Sequence, residues 1–144
     1  MNISSLFIGR EPLTEKELRQ QSPIALAYVG DTVFDMYLRS RLVAFTDMTP
    51  QRLHRTASKF ANAGAQAQIM YRIEHVLSEE EHEVFRHGRN AKSHTIPRNA
   101  SPYDYRMATA FECVLGYLYL NGQDERLQEI LELAVPDLQE ESVL

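Results

Sequence analysis

One cysteine in 144 residues, Cys113, excludes a disulfide framework and any zinc site built on cysteine pairs. It also fits a reducing compartment. No stretch reaches the roughly 18 consecutive apolar residues that a membrane span needs. The opening MNISSLFIGREP places no basic segment ahead of a long apolar run, so no signal peptide is read. A soluble cytoplasmic domain is the expectation. Strand-like alternation, internal repeats and low-complexity tracts are all missing. The segment HEVFRH, His82–His87, has one residue too many for a zinc-binding HExxH helix. No His-Asp dipeptide of the helical phosphohydrolase kind occurs, and Cys113 lies inside an apolar segment, which suits neither Ser-His-Asp nor Cys-His chemistry.

The net charge of −5 argues against a nucleic-acid partner only until its distribution is considered. From Asp124 to Leu144 there are seven acids against one base, Arg126, which leaves the first 123 residues at +1. Within them, Phe85–Tyr103 carries Arg86, Arg89, Lys92, Arg98 and two histidines with no acid at all. The segment is a basic island in an acidic average.

What is present is helical pattern. Thr14 with Glu17 forms a capping box, with Leu13 and Leu18 placed as its hydrophobic staple. Ser22–Pro23 predicts a helix start, the helix running to about Leu42, and Thr49–Pro50 repeats that signal. Leu53, Ala57, Phe60 and Ala61 keep helical spacing, as do Ile69, Met70, Ile73, Val76 and Leu77. Ser78 with Glu81 opens a short helix ending near Gly88. A polar, basic loop, GRNAKSHTIPRNASP, follows. Tyr103–Leu120 is apolar without a polar face and stops at Asn121–Gly122. A last helix places Leu127, Ile130, Leu131 and Ala134 on one side before Pro136, and residues 137–144 are expected to fray. The fold expected is a single all-α domain over residues 1–144, with six or seven helices and two of them central and buried.

Each central helix carries an acid near its middle: Asp31 in ALAYVGDTVF and Glu112 in ATAFECVLGYLYL. A carboxylate in apolar surroundings is unfavourable unless paired, hydrogen-bonded or metal-bound. One reading is an ion pair or a capping contact to a neighbouring helix. The other follows from the glycines, Gly30 beside Asp31 and Gly116 one turn after Glu112. Glycine costs roughly 1 kcal/mol inside a helix, so close helix approach or ligand access explains it. Crossing there, the two acids would hold a hard divalent cation, since magnesium takes one or two carboxylates with waters and phosphate oxygens. Such an open site suits in-line attack on a phosphodiester, with the basic loop neutralising phosphate.

On these residues the chain resembles the ribonuclease III family. LAYVGDTVF is similar to the family's signature helix, and RMATAFECVLGYLYLNG to its second acidic helix, in the same order and at the same separation. With GRNAKS between them, the three elements resemble the Mini-ribonuclease III subgroup, which is reduced to the catalytic domain. The resemblance implies catalytic and metal-binding roles for Asp31 and Glu112, with Mg²⁺ as cofactor and Mn²⁺ as a substitute. It implies a homodimer cutting double-stranded RNA to 5′-phosphate and 3′-hydroxyl ends, with precursor large-subunit (23S) ribosomal RNA as substrate. A ribosomal-protein helper and no membrane partner belong to the same expectation, as does the lack of a double-stranded-RNA-binding domain. Fuller members carry two more acids, where this chain has Ala27 and Thr109. That difference keeps a second reading open, a non-catalytic RNA-binding or scaffold dimer. A helical phosphohydrolase of small nucleotides is a third.

The remaining candidates each have a plainer alternative. Arg89 and Lys92 are expected to contact phosphate, with Arg86 as helper and Asn90 as polar contact or turn former. Asp35 either tunes Asp31 or pairs with Arg39 four residues on. Arg106 faces Glu112 or solvent. Arg52, Arg55 and Lys59 track a second RNA strand or form an ordinary exposed face. Tyr28, Phe34, Tyr37, Tyr117 and Tyr119 belong to core or interface rather than to a base-stacking platform.

Overall fold

The structure, a computed structural model, describes residues 1–92, 96, 98–99 and 101–136, so the expected fraying of residues 137–144 lies outside the described residues. The helices are α1 (Ile3–Ile8), α2 (Glu15–Arg19), α3 (Pro23–Phe45), α4 (Pro50–Ala61), α5 (Ala63–Ile73), α6 (Glu79–Arg89), α7 (Pro102–Leu120) and α8 (Asp124–Ala134). A 3-10 turn, Glu74–Val76, links α5 to α6, and no strand occurs among the described residues.

Side-chain caps set most of these boundaries. The hydroxyls of Ser22 and Thr49 accept from the backbone N–H of Ala25 and Arg52, each with proline in the first turn. Thr14–Glu17 and Ser78–Glu81 form complete capping boxes. Three boundaries differ from expectation. α3 passes Leu42 and ends at Phe45, where Thr46 Oγ1 donates to the Leu42 carbonyl at 2.7 Å. The apolar row from Ile69 leaves α-geometry at Ile73 for the 3-10 turn, and Asn62 separates α4 from α5 by capping the latter through Ala65 N–H at 2.8 Å. α1 is an addition to the expected set. It is tethered from outside, by Asn2 Nδ2 donating to the Gly122 carbonyl at 2.6 Å and Ile3 N–H to Asp124 Oδ2 at 3.1 Å.

α7 is the axis of the domain. From Met107 to Tyr119 every residue but Glu112 is buried, because α3, α5 and α6 enclose it, with α8 and α1 adding contacts toward its end. Phe34, Leu38 and Leu42 of α3, Phe85 of α6, Met70 of α5 and Ile130 of α8 complete the core. A half-buried ion pair fastens α8 to α6: Arg126 Nε meets Glu81 Oε2 at 2.8 Å, with Glu81 only 3% exposed. Arg72 of α5 donates to the Leu133 and Ala134 carbonyls, each at 2.8 Å, and so satisfies the C-terminal end of α8.

α3 and α7 pass antiparallel at van der Waals distance, backbone to backbone. A Cβ on Gly30 would fall 1.8 Å from the Glu112 carbonyl oxygen, and one on Gly116 2.0 Å from that of Leu26. No side chain fits at either point. Beyond the crossing, Phe34 meets Phe111 edge-on at 5.1 Å between centroids. Gly30→Ala is therefore expected to destabilise the domain by about 3 kcal/mol or more, the upper end for overpacking, because backbone atoms cannot move aside. Gly64→Ala is the contrast. Its nearest neighbour is Asn62 Oδ1 at 3.4 Å, so the better helix former is expected to be neutral or to stabilise by up to about 1 kcal/mol. Chemical denaturation of the two variants checks both signs.

Candidate active site

The glycine crossing fixes the two acids as neighbours. Gly30, whose α-carbon rests on the Glu112 carbonyl, is followed directly by Asp31. Glu112 is partly buried between α3 and α5, and its carboxyl hydrogen-bonds Asp31. Asp31 itself is exposed, which corrects the expectation of two buried acids. That side of α3 is left uncovered, as Tyr28 shows by its 82% exposure one turn earlier.

Burial, then the hydrogen bond to Asp31 and the Asp31 charge, push the Glu112 carboxyl up to about 9, against an opposing pull from the Gln66 amide. At neutral pH and without a cation, Glu112 therefore holds a proton and donates it to Asp31. Gln66 reaches the pair from α5, is only 2% exposed, and keeps an amide nitrogen with no hydrogen bond of good geometry. In the sequence Gln66 is one of three amides, with Asn62 and Gln68, in an alanine-rich stretch. Its only signal is helical spacing, one and four residues before the core positions Ala67 and Met70.

The positions of the two additional acids of fuller relatives supply no ligand here. Ala27 is buried in the core, and the Thr109 hydroxyl donates to the Tyr105 carbonyl at 3.0 Å within its own helix. Among the described residues no cluster of three or more His, Cys, Asp or Glu could hold a metal ion. Two adjacent carboxylates, one open to solvent, nevertheless suit a hard divalent cation that keeps several waters.

The end of α6 reaches α7 at the level of Glu112, on the face that carries Ala110 and Cys113. A Cβ on Gly88 would lie 2.7 Å from Cys113 Sγ and 3.0 Å from Ala110 Cα, so the end of α6 abuts the turn of α7 that contains Glu112. Arg89, Asn90 and Lys92 emerge there. The Arg89 guanidinium lies 5.3 Å over the Phe85 ring and donates to Asn90 Oδ1 at 3.2 Å, while Asn90 N–H caps α6. Asn90 is thus a turn former that also holds Arg89. Lys92 is exposed. Arg86 donates to His82 Nδ1 at 2.7 Å, and His82 Nε2 faces Glu74 Oε2 at 3.1 Å, which places the imidazole proton on Nε2.

Other candidates stand apart from the acids. Asp35 pairs with Arg39 at 3.1 Å. Arg106 is exposed and makes no hydrogen bond or ion pair among the described residues. Six residues from Glu112, it points about 120° away around the helix, so it does not face that carboxyl. Arg52, Arg55 and Lys59 share one exposed face of α4. Cys113 is structural: its Sγ donates to the Pro23 carbonyl at 2.9 Å, and burial pushes the thiol up to about 12. Phe34, Tyr117 and Tyr119 are core, whereas Tyr28 and the half-buried Tyr37 line an apolar groove with Phe7 and Met36.

Comparison with known proteins identifies the family. The model of the Ribonuclease III domain matches residues 24–123. The Mini-ribonuclease 3 of Clostridium tetani is 45% identical over 94% of this chain and 89% of its own length. The chain belongs to the Mini-ribonuclease 3 family. A second relative, the Mini-ribonuclease 3 of a Thermoanaerobacter species, is 45% identical over 90% of this chain and 92% of its own. A crystal structure of a Fusobacterium nucleatum protein superposes with a TM-score of 0.75 at 27% identity, covering 82% of this chain and 94% of that one. Membership makes the chain an endoribonuclease of a family whose members use divalent metal. Among the described residues no helix is long and apolar enough to cross a membrane.

The raised Glu112 carboxyl has a consequence for stability. Its folded value, about 9, exceeds the ordinary 4.5, so the folded state binds the proton more tightly than the unfolded chain. This stabilisation is complete below about pH 4.5 and is lost as the pH rises toward about 9. Glu112→Gln, which mimics the protonated acid, is expected to be more stable than the natural chain at pH 8 in chelator and equal to it at pH 4. Thermal unfolding across that range checks the crossover; parallel curves would show that Glu112 ionises normally.

Proposed function

We propose that the chain is a magnesium-dependent endonuclease of double-stranded RNA. It works as a cytoplasmic homodimer on precursor 23S ribosomal RNA and leaves 5′-phosphate and 3′-hydroxyl ends. The observation that carries this reading is the placement of Asp31 against Glu112 by the glycine crossing. Asp31 and Glu112 would hold the cation, which when bound activates a water and stabilises the charge developing on the phosphate. Manganese satisfies the same oxygen ligands.

Arg89 and Lys92 draw the RNA backbone to this end of the domain, with Arg86 beside them, and Asn90 accepts from Arg89 at the helix end. Arg52, Arg55 and Lys59 form a second basic row on α4 that a duplex would reach with its other strand. Recognition by charge and duplex shape rather than base identity follows from such contacts. A ribosomal-protein partner that shapes the RNA is compatible with so small a binding surface.

The homodimer rests on the uncovered side of α3. Tyr28 and Met36 are 82% and 48% exposed, and with Phe7 of α1, 58% exposed, they border an apolar groove of about 480 Å³. A second copy seated there would bury both α3 faces and provide one site per RNA strand. The alternative, a scaffold dimer without chemistry, draws on the missing acids at Ala27 and Thr109.

Cleavage separates the readings. Asp31→Asn is expected to slow cutting of duplex RNA on the order of 1,000-fold, because metal stabilisation of the transition state is worth several kcal/mol. An inert natural chain in Mg²⁺ would favour the scaffold, and an unimpaired variant would remove Asp31 from the chemistry. Binding offers a separate check. Replacing Arg89 and Lys92 by alanine is expected to flatten the salt dependence of RNA affinity by about two units of slope, one per phosphate contact. An unchanged slope would place the phosphate contacts elsewhere.

A further inference from the structure

Gln66 has no structural reason to be an amide. On α5 its neighbours Ala67, Ile69, Met70 and Ile73 are apolar and buried, and Gln66 itself is 2% exposed. Its Nε2 is sealed from water and lacks a hydrogen bond of good geometry. An unpartnered buried donor destabilises the fold, and a methionine or leucine of similar volume would avoid that. The Glu112 carboxyl lies within hydrogen-bonding reach of this amide.

A carboxylate that binds a cation through one oxygen leaves lone pairs on the other, and partners to those lone pairs fix its orientation. Glu112 has few other candidates. Asp31 is an acid, Thr109 Oγ1 is committed to the Tyr105 carbonyl, and Cys113 Sγ to that of Pro23. The donor without an acceptor and the ligand without an orienting donor lie side by side.

We propose that Gln66 is a positioning residue of the metal site: its Nε2 donates to the Glu112 oxygen that faces α5, turning the other oxygen toward Asp31 and the cation. The proposal rests on the metal site proposed above. Gln66 touches neither RNA nor the reacting phosphate. It supplies in neutral form part of the orientation that further acids could supply in fuller relatives, without adding charge to the carboxylate pair.

The test separates metal affinity from stability. Mn²⁺ binding is measured calorimetrically on the full chain without RNA, for the natural protein, Gln66→Met and Asp31→Asn. Gln66→Leu serves as a second apolar variant should methionine disturb the core. Gln66→Met is expected to bind Mn²⁺ about 10- to 100-fold more weakly. Its thermal midpoint in chelator should nevertheless equal or exceed that of the natural chain, because an unpartnered donor has been removed. The Mn²⁺ concentration for half-maximal cleavage should rise by the same factor, with the rate at saturating metal largely recovered. A residue that merely filled the core would lower the midpoint and leave the isotherm alone. A Gln66→Met chain that binds Mn²⁺ as tightly as the natural one, while Asp31→Asn does not, overturns the role of Gln66 and leaves the metal site standing. A natural chain that binds no Mn²⁺, or binds it undiminished in Asp31→Asn, overturns both.

Discussion

Everything in this domain is arranged around the contact of Gly30 with Glu112 and of Gly116 with Leu26. Two helices whose backbones touch leave no room for side chains between them. Residues one step around each helix from the contact are then forced together, whatever they are. Here they are carboxylic acids, a pairing that no globular core would select for stability. The crossing provides the rigidity that keeps them together despite their repulsion, and α5 and α6 close around α7 on either side. Hence the same two glycines that specify the packing also specify the site.

α3 illustrates how three demands share one helix. One face carries Gly30, Phe34 and Leu38 into the core, one carries Asp31 to the open edge of the site, and one presents Tyr28 and Met36 to solvent. A helix that carries apolar residues both to the core and to solvent shows almost no polar face, which made its acid look buried when only the sequence was considered. The pattern was right about apolar surface and silent about which apolar surface the same chain covers. Periodicity reports where a helix avoids water, and a partner avoids water as well as a core does.

The rest of the fold divides along the same physical line. Boundaries written in local chemistry were legible: Ser22–Pro23, Thr49–Pro50 and the capping boxes at Thr14 and Ser78 began helices where they predict them. α1 was not, because Asn2 makes no side-chain cap and the helix holds through the distant Gly122 and Asp124. Asp31 and Glu112 stood out as acids in apolar helices, and their glycines announced close approach. Gln66 did not stand out. A glutamine among alanines is an ordinary surface residue in sequence, and its burial is a property of α7 lying against α5.

Two carboxylates rather than four also change the balance of forces in the free protein. Each added acid in a partly buried site raises the repulsion that the fold must hold without a cation, and Glu112 already answers that repulsion by retaining its proton. A cation held by the proposed pair would have to displace that proton, so its affinity would rise with pH. An orienting amide differs from an orienting carboxylate in this respect, since it steers Glu112 without holding a proton of its own to lose. With Glu112 the one raised acid of the proposed pair, a bound cation would have one proton to displace.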